Sequence, residues 1–221
     1  TAGDCMNVLA ASSVTATAGT VTVANHITLS SSSLEGTVLT STNGFLSADT
    51  STVTASSGDL TAAQDITIFG ASASTVSIAG AVTATAGSIS VASGSTLTAA
   101  GKIESGTTSS FSGTTTASTG NVVAGTSLTV TGVTVTVTSG LVSAGSTLTL
   151  DTATLTVSSS VTAANAVSLT TSTVTCTELT STNGDVSLDT SSLTTSTGAL
   201  LAGVDISIMG SSASTVSIAG A

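Results

Sequence analysis

Self-similarity constrains this chain more than any other property. Leu39-Thr40-Ser41-Thr42-Asn43-Gly44 recurs as Leu179-Thr180-Ser181-Thr182-Asn183-Gly184, and the nine residues from Ala73 to Ala81 recur letter for letter from Ala213 to Ala221. Both offsets are 140 residues. Aligned without a gap, residues 37–81 and 177–221 agree at 30 of 45 positions. A fixed long period marks an array, in which each unit buries its apolar side only by stacking on its neighbour.

A shorter period lies inside the long one. An apolar-polar-apolar triplet returns as Ile27-Thr28-Leu29, Leu46-Ser47-Ala48, Ile66-Thr67-Ile68, Ile89-Ser90-Val91, Leu128-Thr129-Val130 and Leu148-Thr149-Leu150. It continues as Val167-Ser168-Leu169, Val186-Ser187-Leu188 and Ile206-Ser207-Ile208. The spacing of about 19–23 residues puts about seven short repeats in each 140-residue unit. The stretch 105–119, around Phe111, fits this pattern only loosely.

Each such triplet is followed by one of opposite phase, as in Thr52-Val53-Thr54, Thr96-Leu97-Thr98 and Thr154-Leu155-Thr156. A third element pairs an apolar residue with a small one: Leu60-Thr61-Ala62, Val82-Thr83-Ala84, Val142-Ser143-Ala144, Val161-Thr162-Ala163. Three short strands in about 20 residues, separated by Gly, Ser and Asn turns, are too short for the hairpins of a sandwich. They suit one coil of a solenoid, in which each strand pairs with its counterpart in the next coil. The pattern therefore predicts an all-β chain: a parallel β-solenoid, a three-sided β-helix of about 20 residues per coil and about 11 coils, near 50 Å long. Residues 1–13 are expected to lie outside the repeat, and 14–221 to form one continuous solenoid, uncapped at its C-terminal end. An open last coil further suggests a segment of a longer repetitive protein, or rods stacked end to end.

Alternation along a strand sends successive side chains to opposite faces. Val, Ile, Leu and Ala then form an internal column, with few slots suited to a ring. The second strand of each coil turns two files of hydroxyls outward: Thr52, Thr54, Thr75, Thr96, Thr98, Thr134, Thr136, Thr154, Thr156, Thr173, Thr175, Thr194 and Thr215. Ser77, Ser192, Ser217 and Glu35 stand among them. Thr is a good strand former, and Thr stacked on Thr stabilises neighbouring strands without any ligand.

Composition excludes several functions. The formal charge is −10, with Lys102 the single basic residue besides His26. Such a chain cannot neutralise a phosphate backbone, so no nucleic-acid partner is expected. No apolar run approaches the roughly 18–20 residues of a membrane span. Acid–base catalysis lacks its usual side chains, and one His among many Ser residues makes no credible Ser-His-Asp set. A glycan-processing β-helix enzyme is opposed by the missing Arg, the scarce rings and the dispersed acids. The chain is nonetheless 40% apolar and 5% charged, the reverse of a disordered composition.

Few residues invite chemistry. Asp185 and Asp205 precede the same strand in adjacent coils, and Asp65 matches Asp205 across the long offset; stacked carboxylates about 5 Å apart are weak candidates for Ca²⁺, or simply solvated turn acids. Asp49, Asp151 and Asp189 read as turn formers. His26 has no Cys or His partner. Cys176 alternates inward as a small core residue, Cys5 lies outside the repeat, and Lys102 can pair with Glu104. No cofactor is expected.

Phrases such as Gly145-Ser146-Thr147-Leu148-Thr149-Leu150 and Gly184-Asp185-Val186-Ser187-Leu188 resemble the repeats of filamentous-haemagglutinin-like secreted adhesins, which are right-handed β-helices forming long extracellular rods. The ranks Thr134-Val135-Thr136 and Thr154-Leu155-Thr156 are similar to those of β-solenoid ice-binding proteins. The first resemblance implies an extracellular or cell-surface filament, whose partners are copies of itself and surface glycans. The second implies an ice-facing Thr array.

Overall fold

The computed structural model describes residues 3–210 and 212–219. Ala221, where the repeat comparison and the expected open end both fall, lies outside them. The described chain contains no helix, and so none long and apolar enough to cross a membrane. It winds into three parallel sheets of eleven, eleven and ten strands, in which every strand between the two ends pairs with its counterpart one coil before and one coil after. We call them the first, second and third sheets, in the order the chain visits them. This is the expected three-sided β-solenoid.

The register follows the alternation in the sequence. In the first sheet Ile27 stands on Leu46, Leu46 on Ile66 and Ile66 on Ile89, all fully buried. In the second, Val53, Val76 and Leu97 form the matching column; in the third, Leu39, Leu60, Val82 and Ile103 do. The three columns merge into one aliphatic core running from Val8 to Leu193. A one-residue slip would turn every inward side chain to solvent, so the apolar column fixes the register.

The stack starts earlier than the repeat pattern predicts. Cys5–Leu9 pairs along its whole length with His26–Ser30, and Ser13–Thr15 with Ser33–Glu35. Residues 5–13 thus belong to the first coil and Cys5 to its ladder. The triplet Met6-Asn7-Val8 already carries the alternation, and Val8 is buried.

The loosely fitting stretch is also a regular coil. Ser109–Phe111 pairs with the strands before and after it, as does Thr114–Ala117. Its inward positions carry Ser109 and Thr115, both buried, which disguises the pattern. Ser109 Oγ meets Ser105 Oγ at 2.9 Å, and Thr115 Oγ1 donates to Gly113 O at 3.3 Å. Phe111 points inward beside them, fully buried, and supplies the volume that a Ser and a Thr leave open.

The recurrent Ser-Thr-Asn-Gly motif has a packing cause. Ser181 Oγ donates to Asn165 O at 2.5 Å, and a Cβ on Gly184 would sit 1.7 Å from that same carbonyl. Gly44 and Ser41 repeat the arrangement around Asn25 O. Only glycine lets consecutive coils approach this closely at the turn.

Candidate functional site

The candidate surface is the outward face of the second sheet. One file runs Thr52, Thr75, Thr96, Thr114 in paired register, then Thr134, Thr154, Thr173, Ser192, Thr215. The other runs without a break from Glu35 through Thr54, Ser77, Thr98, Thr116 and Thr136. It continues through Thr156, Thr175, Thr194 and Ser217. Every Thr expected in the two files is there, and Thr114 and Thr116 join them because the coil around Phe111 is regular. Glu35 is the single carboxylate on the face.

Standard strand geometry sets this lattice at about 4.8 Å between coils and about 6.8 Å between files. The first file extends back from Thr52 through Ser33 and Ser13, and among the described residues the one intramolecular hydrogen bond within the files is Ser33 Oγ to Ser13 Oγ, at 2.9 Å. The remaining file hydroxyls are left for solvent or a partner. Inward-pointing Val53, Val76, Leu97, Val135, Leu155 and Val174 hold the strands from behind, each fully buried.

A groove of about 370 Å³ borders this face beside Thr136, Thr156 and Thr175, and reaches Val137, Val157 and Cys176 beneath. Its origin is corner length. Four residues, 138–141, link the second sheet to the third in one coil, but the next two coils use only 158–159 and then 177. The following coil returns to four, 196–199. Two short corners between two long ones leave a notch. Cys176 is 1% exposed and its pKa is pushed up to about 11, chiefly because burial disfavours the thiolate. A thiol held neutral in this way is a poor nucleophile.

The acids serve the turns. Asp185 Oδ1 accepts the amide of Asp205 at 3.1 Å, Asp65 Oδ1 that of Ser88 at 2.7 Å, and Asp59 Oδ1 that of Ala81 at 2.7 Å. Each carboxylate thus takes a backbone donor from the following coil. No group of three or more His, Cys, Asp or Glu side chains among the described residues is placed to hold a metal ion. Asp49, Asp151 and Asp189 receive the hydroxyls of Thr50, Thr152 and Thr190 at 2.9, 3.0 and 2.9 Å. Lys102 pairs with Glu104 at the surface. His26 stacks on Phe45 of the next coil, ring centroids 4.2 Å apart and 17° from parallel.

Sequence reasoning missed a column of internal serines at the corner between the first and second sheets. Ser32, Ser51, Ser74 and Ser95 occupy it in successive coils, and Ser172, Ser191 and Ser214 further along. The Ser32 amide donates to Ser51 Oγ at 3.2 Å, the Ser51 amide to Ser74 Oγ at 3.0 Å and the Ser172 amide to Ser191 Oγ at 3.0 Å. The hydroxyls donate in turn to carbonyls: Ser51 to Asp49 O at 2.6 Å and Ser172 to Thr170 O at 2.7 Å. The signal was a Ser directly before Thr52, Thr75, Thr96, Thr173, Ser192 and Thr215, a position that reads as an ordinary polar turn and that Gly113, Val133 and Ala153 fill in the three coils between.

Fold and face together define a parallel β-solenoid with one broad hydroxyl-bearing side. Comparison with protein-family models, with curated proteins and with solved structures returns no match.

Proposed function

We propose that this chain is a structural segment of an extracellular fibre, filament or adhesin stalk, working as a rigid rod. The phase of the long repeat carries the reading. Leu46 and Val186 hold the same place in the first sheet seven coils apart and 140 residues apart. Units of this length concatenate without rotating one face into another. Ladders along the axis and a continuous core resist bending, and polar faces with little charge discourage indiscriminate contact. The role is mechanical and needs no catalytic group or cofactor. The test is immunogold electron microscopy of native material with an antibody to this chain. Label spaced along surface fibres is the expected result; label confined to the cell interior refutes it.

The two in-register Thr and Ser files favour a second reading, adsorption to ice. That reading requires thermal hysteresis in the purified chain and its loss in Thr154→Tyr. A flat response eliminates it.

A further inference from the structure

We propose that the outward face of the second sheet is where two rods pack side by side, its partner being a second copy of this chain. The inference rests on the structural reading above and adds which face does the assembling. Charge placement is the first argument. Outside Glu35, no ionisable side chain stands in the two files. Asp49, Asp151 and Asp189 sit at the corner entering this sheet, and Asp59 and Glu178 at the corner leaving it. The first sheet has one uncharged outward file, through Thr28, Ser47 and Thr67, beside a second that carries Asp49, Asp151 and Asp189, and the third sheet carries Glu104 in mid-strand. The second sheet therefore offers the broadest uncharged area on a chain of net charge −10.

Area is the second argument. Eleven strands at about 4.8 Å, each presenting three residues at about 3.3 Å and their flanks, cover about 600 Å² per copy. Two copies bury about 1,200 Å², the lower bound for a specific interface. A longer array adds to this in proportion, so adhesion grows with repeat number. The chemistry suits like-to-like contact. Each hydroxyl both donates and accepts, so facing files can satisfy one another when water leaves, while the Thr methyls interdigitate. The corner acids of two such rods approach as like charges, and their repulsion is screened as salt rises.

Sedimentation velocity of the intact chain at 20 and 500 mM NaCl tests this directly. Three proteins are compared: the parent, Thr136→Lys/Thr156→Lys on the second sheet, and Thr129→Lys/Thr149→Lys on the first. Circular dichroism verifies that each remains β. The expected result is association of the parent that strengthens with salt. The second-sheet pair should weaken it by more than about tenfold, through desolvated, unpaired charge, and the first-sheet pair should leave it in place. A parent that stays monomeric at both salts overturns the proposal, as does equal loss in both variants. A monomeric parent that shows thermal hysteresis assigns the face to ice instead. A monomeric chain found in native fibres refutes the lateral face alone; an associating chain absent from fibres refutes the rod reading alone.

Discussion

Phe111→Ala probes the interior where it is least conventional. Phe111 is fully buried in a coil whose neighbouring inward positions are Ser109 and Thr115, and its own column continues through Val91 and Val130. Truncation removes a ring burying about 150–200 Å², worth about 4–5 kcal/mol at 25 cal/mol/Å². The measured range for buried Phe→Ala, about 3–5 kcal/mol, agrees. Collapse around the gap is hindered, because ladders on both sides hold the coil spacing. A solenoid's stability is also a sum of coil and neighbour-interface terms. A weak central coil should therefore uncouple the two halves and turn one urea transition into two. The assay is urea unfolding followed by circular dichroism, with hydrogen exchange locating the first opening. Phe111→Leu, which keeps most of the volume, should recover more than half the loss. A loss below about 1 kcal/mol, or equal losses for Ala and Leu, would refute the claim that this ring fills the volume left by Ser109 and Thr115.

Three other predictions concern single side chains. Folding raises the Cys176 pKa from 9.0 to about 11, so the native state holds the proton more tightly. Its contribution is whole below pH 9 and is lost as pH rises toward 11, by about 2–3 kcal/mol at most; Cys176→Ala should flatten that alkaline slope in urea titrations. Thr152 has φ 55°, in the left-handed region, while Gly132 fills the same corner one coil earlier at φ 69°. Thr152→Gly should be neutral or gain up to about 1 kcal/mol, and Thr152→Val should destabilise by losing the bond to Asp151; equal melting of Val and parent would contradict this. Ser172→Ala strips the Ala153 amide of its acceptor and should cost about 1–3 kcal/mol, against less than about 0.5 kcal/mol for outward Ser187→Ala.

The strands were legible because period-2 alternation is a direct consequence of pleat geometry, and it survives wherever inward residues are aliphatic. It failed at Ser109 and Thr115, where inward polar residues find their partners locally, in Ser105 Oγ and Gly113 O, and invert the visible pattern. It failed at residues 5–13 because Met6 and Asn7 stand where the next coil has Ile27 and Thr28, so the triplet lacks the β-branched and hydroxyl residues that mark the others. The serine column stayed hidden for a different reason. Its hydroxyls replace backbone partners at a corner, and nothing in composition separates a buried corner Ser from an exposed one. The Thr files were readable as positions, but their freedom from hydrogen bonds and the acids gathered at the corners on either side of them needed the packed coils.

Coil length varies from 18 to 23 residues while the face assignment never drifts, so the extra residues must be absorbed outside the strands. The longest coil shows where. Between Phe69 and Thr75 the chain uses residues 70–74, whereas Asp49 reaches Thr52 through Thr50 and Ser51 alone. Ser74 nevertheless keeps its place in the serine column, donating to Phe69 O at 2.6 Å across the base of the loop. The same interval separates Met209 from Thr215, and Ser214 Oγ closes it on Met209 O at 2.7 Å. Deleting residues 71–73 leaves Gly70-Ser74 as a two-residue corner, with glycine where the left-handed conformation falls. That deletion should preserve the circular-dichroism spectrum and change stability by about 1 kcal/mol or less. Deleting Thr67 alone, inside the strand, shifts Ile68 off the core column and should cost several times more. If the three-residue deletion unfolds the chain, or the single deletion is tolerated, corners are not the compliant part of this fold and the constancy of its faces has another cause.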